Sequence, residues 1–200
     1  MSSSNLVRLG GVAAVAAASL ILFTQLISFL LDENVPSIPV VVNSVLKLLA
    51  LFFLLLGLVG LYAHQSEAAG PLGLVGFLAA FLGTLLLSGD LWLEAFAFPY
   101  LGEVAPRVIE KTPTGTLAVG GLASFITFAI GWVLFAVASL RARVFARGAA
   151  IVLIAGGVIG FGFVIFPGAG ILLALAVGWM GSSLGRSDRG SGDVQPQRVR

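Results

Sequence analysis

Residues Gly148–Leu184 read GAAIVLIAGGVIGFGFVIFPGAGILLALAVGWMGSSL, and the way this run divides decides the fold. As one helix its thirty-seven residues would be about 55 Å long, well beyond the ~30 Å hydrocarbon core of a bilayer. Pro167-Gly168-Ala169-Gly170 in the middle of the run is turn chemistry. The run therefore reads as two short helices, 148–166 and 168–184, in a tight and partly re-entrant hairpin.

Four longer apolar stretches precede this pair, at 5–31, 38–63, 71–98 and 116–140. Hydrophobic residues make up 58% of the chain and charged residues 10%, against about 25% charged in an ordinary soluble domain. A soluble fold of this length could not keep so much apolar surface from water, so lipid is the solvent that fits. The fold class expected is all-α, a polytopic transmembrane bundle of six helices over 1–185, with five helices as the alternative. Residues 186–200, rich in Gly, Ser, Asp, Gln and Arg, read as a disordered tail. The first stretch does not read as a cleaved signal, because its apolar run continues past Val12–Ala18 to Leu31, whereas a signal core spans only about 7–15 residues.

Charge orients the bundle. With a cytoplasmic amino terminus and alternating helices, Arg8, Arg141, Arg143, Arg147, Arg186, Arg189, Arg198 and Arg200 all lie inside, against Arg107 and Lys111 outside. The positive-inside rule counts Lys and Arg close to helix ends, and the vote is clear. Both termini are expected in the cytoplasm, and dividing Gly148–Leu184 into two helices is what returns the four tail arginines to that side. The expected location is the plasma membrane, or the inner membrane of a cell with two. A net charge of +2 without a basic patch gives no reason to expect a nucleic-acid partner.

Charges within the apolar stretches are the candidates for chemistry. Lys47 lies nine residues into the second helix, in the outer half of the membrane, where a central lysine costs about 2.5–3.5 kcal/mol on insertion scales. Asn43 lies four residues earlier on the same face. The third helix carries Asp90 and Glu94 toward its outer end, again four apart. The arrangement expected is Lys47 facing Asp90 or Glu94, with Asn43 nearby and Thr24, Gln25 and Ser28 of the first helix completing an outward pocket. A purely structural ion pair, or a lysine that snorkels along its stem, accounts for the same residues.

Known catalytic patterns are incomplete. Ser88-Gly89-Asp90 resembles part of the intramembrane aspartyl protease motif, but Leu87 stands where its first Gly is required. His64 is the single histidine and there is no Cys, so neither a Ser–His pair at membrane depth nor a metal site or cofactor is expected. In the one substantial loop, 99–115, Val104, Val108 and Ile109 fall at helical spacing with Pro106 suited to a first turn. That pattern fits a short interfacial helix or an ordered loop.

Small residues mark helix contacts, since close approach in lipid depends on them. Gly156 and Gly160 form a Gly-x-x-x-Gly pair, which serves either packing within the bundle or the seam of a homodimer. Segments such as Gly57-Leu-Val-Gly-Leu-Tyr-Ala-His-Gln65, Trp92–Pro99 and Pro167–Gly181 give the chain a resemblance to uncharacterised small multi-pass membrane proteins of bacteria over most of Ala50–Leu184. The resemblance implies a six-helix membrane protein and carries over no functional residue. The function expected is that of a non-enzymatic accessory, sensor or assembly component. The alternative is a small-solute transporter or channel with an outward-facing polar pocket. The partners expected are the lipid bilayer and another membrane protein or a second copy of the chain.

Overall fold

A computed structural model describes residues 3–31, 37–109, 114–162 and 169–187. All its regular elements are helical: α1 (Ser3–Ser28), α2 (Ile38–Trp92), a π-helical turn (Leu93–Ala97), α3 (Phe98–Val104), α4 (Pro106–Ile109), α5 (Gly115–Ala142), α6 (Arg147–Gly162) and α7 (Ala169–Ser187). Three helical stretches, Ser4–Ser28, Ile38–Val104 and Gly115–Ala142, are long and apolar enough to cross a membrane. The apolar helices at Arg147–Ile159 and Gly170–Leu184 are shorter. The expected Pro167-Gly168 turn and the tail beyond Ser187 lie outside the described residues.

The middle stretch is two helices, not one. Gly70 has φ 56° and ψ −150°, a backbone conformation essentially reserved for glycine. Pro71 follows it, and its ring disfavours helical backbone in the residue before it. The chain reverses there. Tyr62 stacks on Phe77 with ring centroids 4.4 Å apart, and Ser44 near the start of α2 reaches Glu94 beyond its end. The first limb, 38–69, and the second, 71–92, therefore run antiparallel. Residues 64–69, which the sequence reading leaves between helices, extend the first limb to within one residue of the turn.

The second limb passes into α3 through the π-helical turn, in which the Phe98 N–H bonds to the Leu93 carbonyl. Pro99 has no N–H to give to the turn before it and its ring presses on that turn. One wide turn relieves the clash without ending the helix. In loop 99–115, Pro106 opens the single turn α4, where Arg107 and Val108 are exposed.

The six long segments form an up-and-down ring in chain order: α1, first limb, second limb, α5, α6 and α7, closed by packing of α7 on α1. Glycines set the spacing. A Cβ on Gly10 or Gly60 would overlap the other's backbone, and one on Gly57 would come within 2.8 Å of the Ala14 Cα. Gly83 packs the same way on the Phe128 backbone, Gly131 on Ala79 and Ala80, and Gly181 on Gly11 and Ala14. Toward the Gly70 end the ring is filled by fully buried Leu54, Leu58, Leu61, Phe135, Leu153 and Val177. Its perimeter is apolar and exposed, as at Val12, Phe52, Leu78, Val119, Ile151 and Leu175. Apolar residues thus face both inward and outward.

Candidate functional site

The central space opens at the level of Lys47, away from the Gly70 end. A cavity of about 240 Å³ lies there, bordered by all six long segments: Thr24 and Gln25 of α1, Lys47 of the first limb, Leu87 and Leu91 of the second, Phe128 and Trp132 of α5, Gly156 of α6 and Leu173 of α7. Its walls are mainly apolar. Lys47 is the one ionisable residue among the described ones lining it.

A polar clamp closes the cavity toward the packed end. Trp132, fully buried, donates from Nε1 to Thr84 Oγ1 at 3.1 Å, and Thr84 donates to the Ala80 carbonyl at 2.7 Å. The indole is thereby fixed across the second limb and α5, with its polar edge satisfied and its apolar body toward the cavity. A Cβ on Gly156 would stand 3.1 Å from the Leu173 backbone nitrogen of α7, and Gly157 sits against Val133 of α5. The Gly156 part of the Gly-x-x-x-Gly pair thus packs within the bundle. Gly160 lies in α6, and its surroundings are outside the described residues. Gly170 accommodates Gln25, whose amide occupies the space where a Cβ would stand.

Asn43, Asp90 and Glu94 are not among the residues that line this cavity. Asn43, buried, donates from Nδ2 to Ser28 Oγ at 3.0 Å and to the Thr24 carbonyl at 3.4 Å, tying the first limb to α1. Its Oδ1 has no hydrogen-bond partner. Glu94 lies in the π-helical turn and accepts from Ser44 Oγ at 2.8 Å, a charge-assisted bond between the two limbs. Asp90 Oδ2 is buried without a hydrogen-bond partner. Of the residues expected as one cluster, Lys47 and Gln25 line the cavity, Asn43 bonds to α1, and Glu94 accepts from Ser44.

Sequence reasoning passed over Ser44, Thr84 and Trp132. The register of the α2 hairpin would have found Ser44, which lies 26 residues before Gly70 while Glu94 lies 24 after it. With the turn assigned to 64–70 as a loop, that symmetry was not visible. His64 is exposed, its ring 5.6 Å from that of Phe145. Among the described residues no three His, Asp or Glu side chains gather into a group able to hold a metal. The chemistry at the cavity is that of an ammonium, an amide and a hydroxyl on apolar walls, which can bind and orient a molecule. Comparison with protein-family models, curated proteins and solved structures gave no match, and the resemblance noted in the sequence adds no residue to the site.

Proposed function

We propose that this chain is a non-enzymatic integral membrane protein of six spanning helices, with both termini at the cytoplasmic face of the plasma membrane. It acts as a sensor or accessory component through the occupancy of its central cavity. The observation that carries this reading is that one cavity touches every long segment of the ring. A molecule seated there changes the packing of all six at once, and a partner protein reads that change at the perimeter.

Three features support the membrane setting: the exposed apolar perimeter, the backbone-to-backbone glycine seams and the arginine asymmetry. A path for a hydrated solute fits less well. It would have to pass Leu51, Leu87 and the Trp132–Thr84 clamp, which offer little to replace a hydration shell.

Topology is tested by single cysteines in intact cells. Those at Ser2, Arg143 and Ser191 should resist an impermeant reagent, and one at Thr114 should react. Labelling at Ser191 but not at Ser2 would remove α7 as a full crossing. Ligand sensing is tested by melting the purified protein in mild detergent with and without an extract of its host membrane. The extract should raise the melting temperature of the wild type and leave Ala129→Leu, which fills the cavity, unmoved. Equal rises in both proteins would put the effect on the outer surface and sink the sensing reading.

A further inference from the structure

We infer that the seam between α5 and α6 is a lateral entrance, through which one acyl chain of a membrane lipid reaches the central cavity. This deepens the proposed sensing role and rests on it, naming the molecule sensed and its route. The first observation is a second hollow. On the outer face of the ring a groove of about 310 Å³ runs between the two helices, lined by Ala129, Ile130, Val133 and Leu134 of α5 and by Gly157 and Val158 of α6. Every one of these residues is apolar, and Ile130 and Val158 are about half exposed.

The second observation is continuity. Ala129 and Gly157 line both the groove and the cavity, so the wall they share carries one methyl and one bare Cα. The Val133 side chain fills the notch at Gly157, with Cγ2 2.5 Å from where a Cβ would stand. A side chain can move aside there, which the backbone seam of Gly131 on Ala79 and Ala80 cannot do. Phe125 borders the cavity while 40% exposed, so the cavity reaches the perimeter along α5.

The third is the state of the polar groups on the wall. Trp132 Nε1 donates to Thr84, the Thr24 hydroxyl donates to the Ile21 carbonyl, and Lys47 is engaged within the protein. Gln25 sets its amide against Gly170. A hydrocarbon chain beside Leu87, Leu91, Phe128 and Leu173 leaves these groups as they are and covers apolar wall. A strongly hydrated ligand would lose its water there with little to replace it. Size sets how much of a lipid enters. At about 240 Å³ the cavity falls just below the ~300–1,000 Å³ typical of ligand pockets, so one chain enters and the rest of the lipid stays in the groove and the bilayer.

Trp132 gives the readout. It lines the cavity and is fully buried, whereas Trp92 and Trp179 are about half exposed. The Trp92→Phe, Trp179→Phe protein, in which only Trp132 fluoresces as an indole, is reconstituted in phosphatidylcholine vesicles with or without a pair of bromines at the middle of one acyl chain. Bromine quenches an indole at close range. Trp132 should lose most of its emission in the brominated vesicles. With the groove filled by Ile130→Phe and Val158→Phe, most of that loss should disappear. Leu78→Phe, at an exposed position on the second limb, should leave the loss unchanged. Melting checks the fold of each variant, and Val158→Phe alone replaces the pair if the pair does not fold.

Equal quenching with the groove open and filled would show that the bromines do not reach Trp132 by this seam, and would overturn the inference. No quenching in either protein would mean that no chain enters, whether because the seam stays shut or because a second copy of the chain covers it, and would overturn it as well. The sensing role is read separately, by the melting shift that a membrane extract gives the wild type and Ala129→Leu. A shift confined to the wild type beside an unquenched Trp132 would keep that role, with a ligand other than a lipid chain.

Discussion

The two ends of this ring are built on opposite plans from the same residue types. Toward Gly70, small residues bring backbones into contact and large aliphatic side chains fill the axis: Gly10 on Gly60, Gly181 on Gly11, and Leu54, Leu58 and Leu61 between them. Toward Lys47, a Cβ added to Gly89, Gly120 or Gly121 would meet nothing within 4 Å. There the axis holds the cavity, and hydrogen bonds such as Asn43 to Ser28 and Ser44 to Glu94 join the helices beside the close contacts at Gly156, Gly157 and Gly170. Glycine itself therefore does not predict close packing; what stands opposite it does. The closed end fixes the ring and leaves the other end free to hold a cavity.

The largest effect should come from breaking the close seam. Gly131 lies against the backbone of Ala79 and Ala80, so neither partner can swing aside as a side chain would. Gly131→Leu should cost about 3 kcal/mol or more, the upper range for overpacking, and should abolish the yield of monodisperse protein from membranes. Recovery of a folded, stable Gly131→Leu protein would mean that α5 and the second limb do not meet there.

Next is the hinge of the second seam. Nothing stands within 4 Å of a Cβ on Gly70, so space does not forbid a side chain there; its φ of 56° does. Gly70→Ala should lower stability by about 1–3 kcal/mol, measured by thermal unfolding in detergent. An unchanged melting temperature would show that the hairpin turns by another backbone route.

How much of this was legible in the sequence follows the same division. Apolar length and the Gly-Pro step at 70–71 are local properties, and they are enough for an all-helical chain with three long apolar stretches. The glycine seams were legible only as a tendency, because Gly156 and Gly120 look alike in the sequence although one meets Leu173 and the other meets nothing. The candidate site depended on register. The register of the hairpin sets Ser44 against Glu94 and places Lys47 on the wall of the cavity. Period alone gives which residues share a face, but not which neighbour that face meets. The cavity itself, drawn from six separate segments, has no local signature.

A third test concerns a flaw in the closed end. Gln65 is completely buried, and neither atom of its amide has a hydrogen-bond partner. An orphaned buried polar group costs about 1–3 kcal/mol, and a leucine fills nearly the same volume. Gln65→Leu should therefore raise the melting temperature, by about 1–2 kcal/mol of stability. A fall would reveal a water or a partner that uses the amide, and would give the closed end a polar role.

The fourth concerns the polar bridge at the open end. Ser44→Ala removes the hydroxyl that donates to Glu94, but Glu94 is half-buried and water or lipid headgroups can replace part of the bond. The expected loss is about 1 kcal/mol. In a double-mutant cycle with Glu94→Gln the two changes should be coupled. Strict additivity would mean that the contact contributes nothing to the hairpin.

The smallest effect is the one that most directly tests the contrast between the two ends. Gly89 and Gly120 are exposed positions within helices, with open space where a Cβ would go. Gly89→Ala and Gly120→Ala should each stabilise, since alanine loses less backbone freedom than glycine in a helix, by about 0.5–1 kcal/mol. The same change at Gly76, where a Cβ would come within 2.7 Å of the Phe135 nitrogen, should destabilise. Opposite signs from one substitution at two ends of the second limb cannot come from helix propensity, which is shared. They come from what each position faces, the α5 backbone at Gly76 and open space at Gly89. If Gly89→Ala or Gly120→Ala lowers the melting temperature as Gly76→Ala does, then those positions are not open, and a neighbouring element packs on them as α5 packs on Gly76.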